Sequence, residues 1–332
     1  MFSVTNSKGF VPQSEQFEDR EMIGEDIKAY KIIREGDFAY NPARINVGSI
    51  AKYNKSEPCM VSSLYVCFKA LPQINNEWLM QLLKTPKMNF YYNVNGEGGV
   101  RVYLFYPNFA RIRTSYPSLV EQQKIASFLS IIDQRIETQK KIIEDLKKLK
   151  DAIRTKLFTS LESHCNEYDE IRNMLHYEQP SAYLVNSTEY SEDYPTPVLT
   201  ANKAFILGYT DEEQGVYDKG DCIIFDDFTM DLKYVTFPFK VKSSAIKILT
   251  PRQNIDLYFI YEYLLYLGLV SEEHKRHYIS EIESMNIIHP QLKEQRQISQ
   301  ALRSLEMQVG NAIALQNLLV KQKQHFLSRM FI

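Results

Sequence analysis

Several common signatures are missing from this 332-residue sequence, and each absence removes a class of protein. The four cysteines form no C-x-x-C pair, so we expect free thiols in a reducing cytosol rather than a disulfide framework. No basic-then-apolar leader is present at the N-terminus. The longest apolar stretch, residues 257–270, is too short to span a bilayer and contains Glu262. These features predict a cytoplasmic protein with no membrane segment.

Motifs that mark catalysis are missing as well. The sequence has no Walker loop, no Rossmann glycine fingerprint and no zinc-ligand spacing. His274-x-x-His277 has helical spacing but lacks a third ligand, and Tyr40-Asn41-Pro42 is interpreted as a turn. We therefore predict no catalytic residue and no metal site, which favours a binding protein over an enzyme. The net charge of −2 argues against indiscriminate nucleic-acid binding, although a local basic face is compatible with it.

The most informative feature present is an internal repeat. Residues 116–158 and 289–331 align without a gap at an offset of 173, with ten of 43 positions identical. Each copy opens with Pro-x-Leu-x-Glu-Gln, as in Pro117–Gln122 and Pro290–Gln295, and Ser118 with Glu121 resembles a capping box. A gapless match of this length indicates one structural unit used twice.

Both copies carry apolar residues in alternating steps of three and four, which predicts a long helix with one apolar seam. The predicted packing residues are Ile125, Leu129, Ile132, Ile136, Ile143, Leu146, Ile298, Leu302, Leu305, Val309, Leu319 and Phe326. Lys150 and Lys323 interrupt the seam at equivalent positions. Either they fix the register of the helices or, as the plainer interpretation has it, they lie at frayed ends with their ammonium groups in water. Gly310 is the one soft point in the second helix.

A fainter repeat precedes each helix, with loops of different length. Val4–Val11 resembles Leu199–Ile206, Ser62-Ser63 matches Ser243-Ser244, and the predicted helix start at Asn76 aligns with Asp256. We therefore predict a mixed α/β protein with two globular domains, each followed by a long helix, and the two helices packed as an antiparallel coiled coil. The predicted boundaries are 1–115 for the first domain, 116–160 for its helix, 161–288 for the second domain and 289–332 for its helix. About 35 residues of the second domain have no match in the first, so we expect the chain to begin partway into its first domain.

The paired Pro-x-Leu-x-Glu-Gln-x-x-Ile-x-x-x-Leu motifs, each after an α/β domain, resemble the specificity (S) subunit of type I restriction-modification enzymes. VTNSKGFVPQ and GDFAYNPARINVGSI resemble the target-recognition domain of that family. The resemblance implies a non-catalytic subunit whose two domains read the halves of a split, asymmetric site in double-stranded DNA. It also implies helices that set the gap and dock two methyltransferase subunits, with restriction subunits outside them. S-adenosylmethionine, ATP and Mg²⁺ are then expected only on those partners.

DNA-contacting residues are expected on loops, where arginine, lysine, asparagine and serine reach bases and phosphates. The candidates are Asn6, Lys8, Asn41, Arg44, Asn46, Ser49, Arg101, Asn202, Lys203 and Lys233. Lys8 and Lys203 are the preferred pair because they occupy matched positions in the repeat. Two alternatives stay open at this point: the specificity part of a fused methyltransferase or nuclease, and a coiled-coil adaptor that binds protein rather than DNA. A recombination cassette is a further possibility for a shortened subunit.

Overall fold

The structure is a computed structural model that describes residues 1–6, 8–16, 29–98, 102–200, 205–271 and 277–331. It divides into two compact units, each with its own sheets and core. Unit 1 contains Met1–Lys141 and Ile313–Ile332, and unit 2 contains Ile142–Ala312. Each unit therefore combines a globular part with one portion of each long helix.

Among its described residues, unit 1 contains seven strands and four short α-helices before the first long helix. The strands are β1 (Phe2–Thr5), β2 (Gly9–Pro12), β3 (Lys31–Ile33), β4 (Phe38–Tyr40), β5 (Ile50–Lys52), β6 (Cys59–Val61) and β7 (Val66–Phe68), and the helices are α1 (Gln13–Gln16), α2 (Asn76–Leu83), α3 (Pro86–Asn95) and α4 (Tyr106–Phe109). One sheet has the order β2-β1-β6-β3 and the other has the order β5-β4-β7. β1 pairs antiparallel with β2 and parallel with β6.

Unit 2 repeats this plan and adds strands to it. After the helix α5 (Leu119–His164) come β8 (Tyr168–Glu170), α6 (Ile171–Met174), β9 (Leu175–Glu178), β10 (Thr196–Leu199), β11 (Ile206–Thr210), β12 (Cys222–Asp226), β13 (Leu232–Val235), β14 (Lys240–Val241), β15 (Ile246–Pro251), α7 (Leu257–Leu267), β16 (Asn286–Ile288) and α8 (Leu292–Met330). Its sheets have the orders β11-β10-β14, β13-β12-β15-β9 and β16-β8.

The pairing pattern shows which elements are equivalent. The β10–β11 hairpin with its parallel neighbour β14 matches β1–β2 with β6, and β12 between β13 and β15 matches β4 between β5 and β7. The chain is thus mixed α/β with two sheet-containing parts and two long helices, as the sequence predicts. β9 adds a fourth strand beside β15.

The helix caps correct one detail of the sequence alignment. Asn75 accepts a hydrogen bond from Trp78 N at 2.9 Å to begin α2, and Asp256 accepts one from Phe259 N at 2.9 Å to begin α7. Asp256 is therefore equivalent to Asn75, not to Asn76. The alignment from residue letters alone was wrong by one position because Asn75 and Asn76 are both plausible caps.

The two long helices contain 46 and 39 residues. The predicted capping box is present, because Glu121 N donates to Ser118 Oγ at 3.4 Å and Ser118 N donates back to Glu121 Oε2 at 3.2 Å. α5 continues past residue 160 to His164 because Phe158 and Leu161 are still covered by core residues of unit 2.

Within each unit the helices run antiparallel, as the partners along them show. In unit 1, Phe128 meets Phe326 with ring centroids 4.9 Å apart. In unit 2, Lys150 pairs with Glu306 and, later in α5, His164 pairs with Glu294, earlier in α8. All twelve residues predicted to pack along the seam are buried or half-buried.

Gly310 lies on the exposed side of α8, and a Cβ added there would meet no heavy atom within 4 Å. We expect Gly310→Ala to raise the free energy of unfolding by about 0.5–1 kcal/mol, because alanine loses less backbone entropy in a helix. Gly268 is the matched control, because it caps α7 with φ at 62° and alanine is strained there. Urea unfolding of both variants checks this, and a Gly310→Ala variant as unstable as Gly268→Ala would contradict it.

Candidate nucleic-acid interface and the helical braces

A polar loop between β4 and β5 closes onto the β1–β2 hairpin in unit 1. Asn41 N donates to Ser49 O at 3.0 Å, and Ser49 Oγ donates to Val4 O at 2.7 Å. Gly48 has φ at 93°, and a Cβ there would collide with Asn6 Oδ1. Glycine is favoured because a φ in this region strains any L side chain, and a Cβ would also displace the side chain of Asn6. The loop and the hairpin therefore form one continuous surface.

The structure brings six predicted candidates onto this surface and gives them different roles. Ser49 is buried, and Asn41 Oδ1 accepts from Ala43 N at 3.0 Å, so these two polar groups hold the loop itself. Asn46 Nδ2 donates to Asn93 Oδ1 at 3.1 Å. Lys8 and Arg44 are exposed, as is Asn6. The side chains of Lys8 and Arg44 make no hydrogen bond or ion pair with any residue that the structure describes, so they remain available to a ligand.

Three lysines that the sequence reasoning missed lie beside Lys8. Lys8, Lys52, Lys55 and Lys84 line an open cavity of about 310 Å³ together with Glu77. Lys52 forms an ion pair with Glu77, and Lys55 Nζ lies 5.1 Å from the centroid of the Phe2 ring. Four ammonium groups around one carboxylate make this cavity electropositive, which suits a phosphate. The four lysines come from three separate segments, so no spacing in the sequence points to them.

The other candidates are less informative. Arg101, Asn202 and Lys203 lie outside the described residues. Lys233 was predicted to lie on a loop, and this is wrong: it is an exposed residue of β13, paired with Ile224. The alternation Leu232, Lys233, Tyr234, Val235 is short enough to resemble either a loop or an edge strand, and the pairing with β12 decides the matter.

Two buried glutamines, one in each copy, show the structural role of the repeated Pro-x-Leu-x-Glu-Gln motif. Gln122 Oε1 accepts from Asn75 N at 2.7 Å while its Nε2 donates to Pro117 O at 2.9 Å. Gln295 Oε1 accepts from Asp256 N at 2.9 Å while its Nε2 donates to Pro290 O at 2.8 Å. Both glutamines are 0% exposed. We call this contact the glutamine brace: it ties the start of each long helix to the cap of the short helix α2 or α7.

The seam lysine of unit 2 joins three helices. Lys150 Nζ lies 2.8 Å from Glu262 Oε1 on α7 and 2.5 Å from Glu306 Oε2 on α8. Arg154 Nε donates to Glu262 Oε2 at 2.7 Å. Burial by itself raises the pKa of Glu262, but the hydrogen bond from Lys150, with support from Tyr258 and Arg154, outweighs it and holds that pKa below its ordinary value.

Unit 1 contains the equivalent ion pair between a lysine of the apolar seam and a carboxylate, with fewer partners. Lys323 Nζ donates to Asp133 Oδ1 at 2.6 Å, and Gln81 Nε2 on α2 donates to Asp133 Oδ2 at 3.0 Å. Lys323 and Asp133 are the repeat equivalents of Lys150 and Glu306 at the offset of 173. The plainer expectation, that the seam lysines lie at frayed ends in water, is wrong because both are ion-paired and Lys150 is buried.

The acidic residues that could suggest a metal site are already engaged. Asp227 is buried, accepts from Tyr278 N at 2.8 Å and lies 3.2 Å from Lys247 Nζ. Glu212 accepts from Ser187 N at 2.7 Å and pairs with Lys240. The hydrogen bond from Ser187 N, together with that from Lys240, lowers the pKa of Glu212. Within the part of the chain that the structure describes, no group of three or more His, Cys, Asp or Glu is arranged to hold a metal ion.

Membrane-spanning helices and disulfide bonds are both absent from the described residues. No helix there is both long and apolar enough to cross a membrane. The four cysteines, Cys59, Cys67, Cys165 and Cys222, are free thiols.

The two units have matching topology, and each is attached to a portion of the same two long helices. One unit also carries a basic cavity. Together these features define a duplicated recognition protein. A family model described as "Type I restriction modification DNA specificity domain" matches residues 24–148 and 170–317. The chain belongs to this family. Its fold is that of a DNA-recognition component of a restriction-modification system rather than that of a catalytic subunit.

Individual relatives agree with this assignment. The type I restriction enzyme EcoR124I/EcoR124II specificity subunit of Escherichia coli is 46% identical over 117 residues, which cover 33% of this chain and 29% of that protein. This chain therefore matches less than a third of that relative. A protein of Methanocaldococcus jannaschii named as a type I restriction enzyme MjaX specificity subunit is 23% identical over 327 residues, covering 85% of this chain and 74% of that one.

Solved structures support the fold alone. The S subunit of a type I restriction-modification system from M. genitalium superposes with a TM-score of 0.62 at 15% identity, covering 90% of this chain and 84% of that one. A chain from a study of complex assembly in the type I R-M system superposes with a TM-score of 0.55 at 17% identity, covering 91% of this chain and 83% of that one.

Proposed function

We propose that this chain is the DNA sequence-specificity subunit of a type I restriction-modification complex. Each globular part would read one half of a split, asymmetric site, and the long helices would set the unread gap between the halves. The observation that carries this proposal is the duplication of the glutamine brace. The same two hydrogen bonds, from Asn75 N and Asp256 N to a buried glutamine, attach each globular part to the helix pair.

We further propose that the helices dock two methyltransferase subunits, with restriction subunits joining through the complex. Exposed apolar side chains on the two helices support this docking role, among them Ile131 on α5 and Leu318 on α8. S-adenosylmethionine, ATP and Mg²⁺ would then be bound by those partners. This chain would contribute the recognition of the DNA sequence. Its near-neutral charge would be sufficient for DNA binding if the partners supply part of the phosphate contacts.

Selection from a random duplex pool tests the proposal. The chain is co-purified with the methyltransferase subunit of its own system, and the bound duplexes are sequenced. We expect two short fixed elements separated by a constant number of unspecified base pairs. A stable complex that enriches no duplex would instead support a protein-binding adaptor.

The basic surface of unit 1 gives a more local prediction. Lys8→Ala and Arg44→Ala should each weaken binding of the selected duplex, and each should reduce the slope of log K against log salt by about 0.9 if the side chain contacts one phosphate. Lys141→Ala is the matched control, because it removes one charge from an exposed position on α5. Binding measured at several salt concentrations checks this, and slopes equal to that of the control would remove both residues from the interface.

A further inference from the structure

The basic cavity of unit 1 has a counterpart in unit 2, because the strands beside it have the same register. In unit 1, Phe38 of β4 pairs with Lys52 of β5, and in unit 2, Ile223 of β12 pairs with Tyr234 of β13. Phe38 and Ile223 both belong to the apolar core that contains residues of the helices. Lys52 and Tyr234 are therefore equivalent positions with different chemistry.

The contact between this strand and the short helix is kept in both units. The second residue after the cap of the short helix is Glu77 in α2 and Tyr258 in α7. Lys52 forms an ion pair with Glu77, whereas the ring of Tyr234 meets the ring of Tyr258 edge-on with centroids 5.1 Å apart. An ion pair in unit 1 thus corresponds to an aromatic pair in unit 2.

The next turns of the short helices differ in the same way. Counted from the caps, Lys84 of unit 1 corresponds to Leu265 of unit 2, and Met80 corresponds to Tyr261. The ring of Tyr261 lies 5.5 Å from that of Tyr234 and 5.7 Å from that of Tyr258. In unit 2, three tyrosine rings therefore pack together at the place that corresponds to the lysine-lined cavity.

Arg303 is a cation beside these rings, and its charge is already engaged. Arg303 Cζ lies 4.1 Å from the centroid of the Tyr258 ring and 5.0 Å from that of Tyr234. Arg303 Nη2 donates to the hydroxyl of Tyr234 at 2.8 Å, and that hydroxyl donates to Asp221 Oδ2 at 2.7 Å. The guanidinium is thus held against the protein and is linked to a carboxylate through one phenol.

The charge of the two matched stretches differs in sign. Residues 1–115 contain 14 Lys and Arg against 11 Asp and Glu, whereas residues 196–288 contain 9 against 14. Two of the carboxylates in unit 2, Asp211 and Glu213, are exposed directly after β11 of the hairpin that corresponds to β1–β2. Carboxylates at this place repel phosphates, so the electrostatic attraction of DNA is centred on unit 1.

Several exposed cations in the globular part of unit 2 also have partners. Lys219 Nζ lies 2.6 Å from Glu178 Oε1, and Arg252 Nε donates to two backbone carbonyl oxygens. Lys233 and Lys242 are exposed and form no ion pair with any residue that the structure describes. These two lysines are the fairest comparison for the lysines of the basic cavity.

We propose, given the function proposed above, that the two globular parts share the DNA contacts unequally. Unit 1 makes most of the phosphate contacts, and unit 2 recognises its half-site with few of them. Phosphate contacts supply the salt-dependent and sequence-independent part of the affinity, whereas base contacts supply specificity. Unit 1 therefore sets how tightly the duplex is held, and unit 2 adds discrimination between sequences.

Matched charge removals in the two units test this on the chain co-purified with its methyltransferase subunit. Lys55→Gln with Lys84→Gln removes two exposed cations from the cavity of unit 1, and Lys233→Gln with Lys242→Gln removes two from unit 2. The first pair should reduce the slope of log K against log salt by about 1.8, and the second by no more than about 0.5. Equal reductions, or a larger one for unit 2, would overturn the proposal.

Neutral phosphates in the duplex give an independent readout. Methylphosphonates are placed in one half of the selected site at a time. We expect binding to weaken by about tenfold or more for one half and by less than about threefold for the other. The Lys55→Gln, Lys84→Gln variant should lose most of its sensitivity to substitution in the first half. A sensitive half that this variant leaves unchanged would contradict the assignment of the phosphate contacts to unit 1.

The outcomes separate this proposal from the function on which it rests. A selection that enriches no duplex contradicts the proposed function and the unequal sharing together. A split motif whose two halves respond equally to methylphosphonates contradicts the unequal sharing alone.

Discussion

Replacing Lys150 by methionine should lower the free energy of unfolding by about 3 kcal/mol, because breaking a buried ion pair leaves an uncompensated charge. The Lys150 and Glu262 side chains are 9% and 0% exposed, and their charged atoms lie 2.8 Å apart. Methionine has a similar length and no charge, so the variant keeps most of the packing and removes the cation. Arg154 still contacts Glu262, which places the expected loss at the lower end of the range for such pairs.

Lys323→Met is the matched control at the equivalent position of the repeat. Its partner Asp133 is 42% exposed, so water can solvate the carboxylate when the lysine is removed. The expected loss is about 1 kcal/mol or less. Urea unfolding followed by far-ultraviolet circular dichroism measures both variants, with Trp78 emission as a separate probe of unit 1. Losses of the same size at the two positions would contradict the burial argument.

Acid should act on the same contact. The folded-state pKa of Glu262 lies below its ordinary value, so this carboxylate contributes stability above its unfolded pKa of about 4.3. That contribution is lost as the pH falls from about 4.3 through the lower folded-state pKa. The difference in stability between the parent chain and Lys150→Met should therefore be largest at neutral pH and should narrow in this acid window.

The second large effect is expected at the glutamine braces. Gln295→Leu should cost about 2–4 kcal/mol in the free energy of unfolding, because Asp256 N and Pro290 O both lose the partner that the fully buried Gln295 side chain supplies. Gln122→Leu removes the corresponding bonds to Asn75 N and Pro117 O and should have a similar cost. The leucine occupies nearly the same volume, so the loss measures unsatisfied polar groups rather than a cavity.

Gln300→Leu provides the control for these substitutions. Gln300 is an exposed residue of α8, and the change should alter stability by no more than about 0.5 kcal/mol. Urea unfolding measures the free energy of unfolding of the two brace variants and of the Gln300→Leu control. If both brace variants were as stable as Gln300→Leu, the glutamines would have no structural role and their recurrence in the repeat would need another explanation.

The sequence predicted the parts of the fold that depend on local pattern. Repetition at a fixed offset and apolar residues in steps of three and four were sufficient for the two helices and for their α/β partners. The purpose of Gln122 and Gln295 could not be predicted, because their partners Asn75 and Asp256 come from other elements after loops of different length. The seam lysines were misjudged for the same reason, since Glu262 lies on α7 and has no pattern that connects it to Lys150.

Fewer residues of the candidate nucleic-acid interface could be predicted from the sequence. Lys8 and Arg44 could be proposed from residue type and turn context, and the structure leaves both exposed. Lys52, Lys55 and Lys84 were missed because only folding brings them beside Lys8. Ser49 has a side chain suited to base contacts, yet its hydroxyl is buried against Val4 O, and burial is not readable from the letter alone.

Mapping methylated bases across the genome of a host that co-expresses this chain with the methyltransferase subunit of its system tests the central claim most directly. We expect methylation at one split motif with a constant gap, and we expect it to disappear when the chain is omitted. A motif made of a single half-site would show that one globular part reads DNA without the other. Methylation that is unchanged when the chain is omitted would contradict the assignment of sequence specificity to this chain.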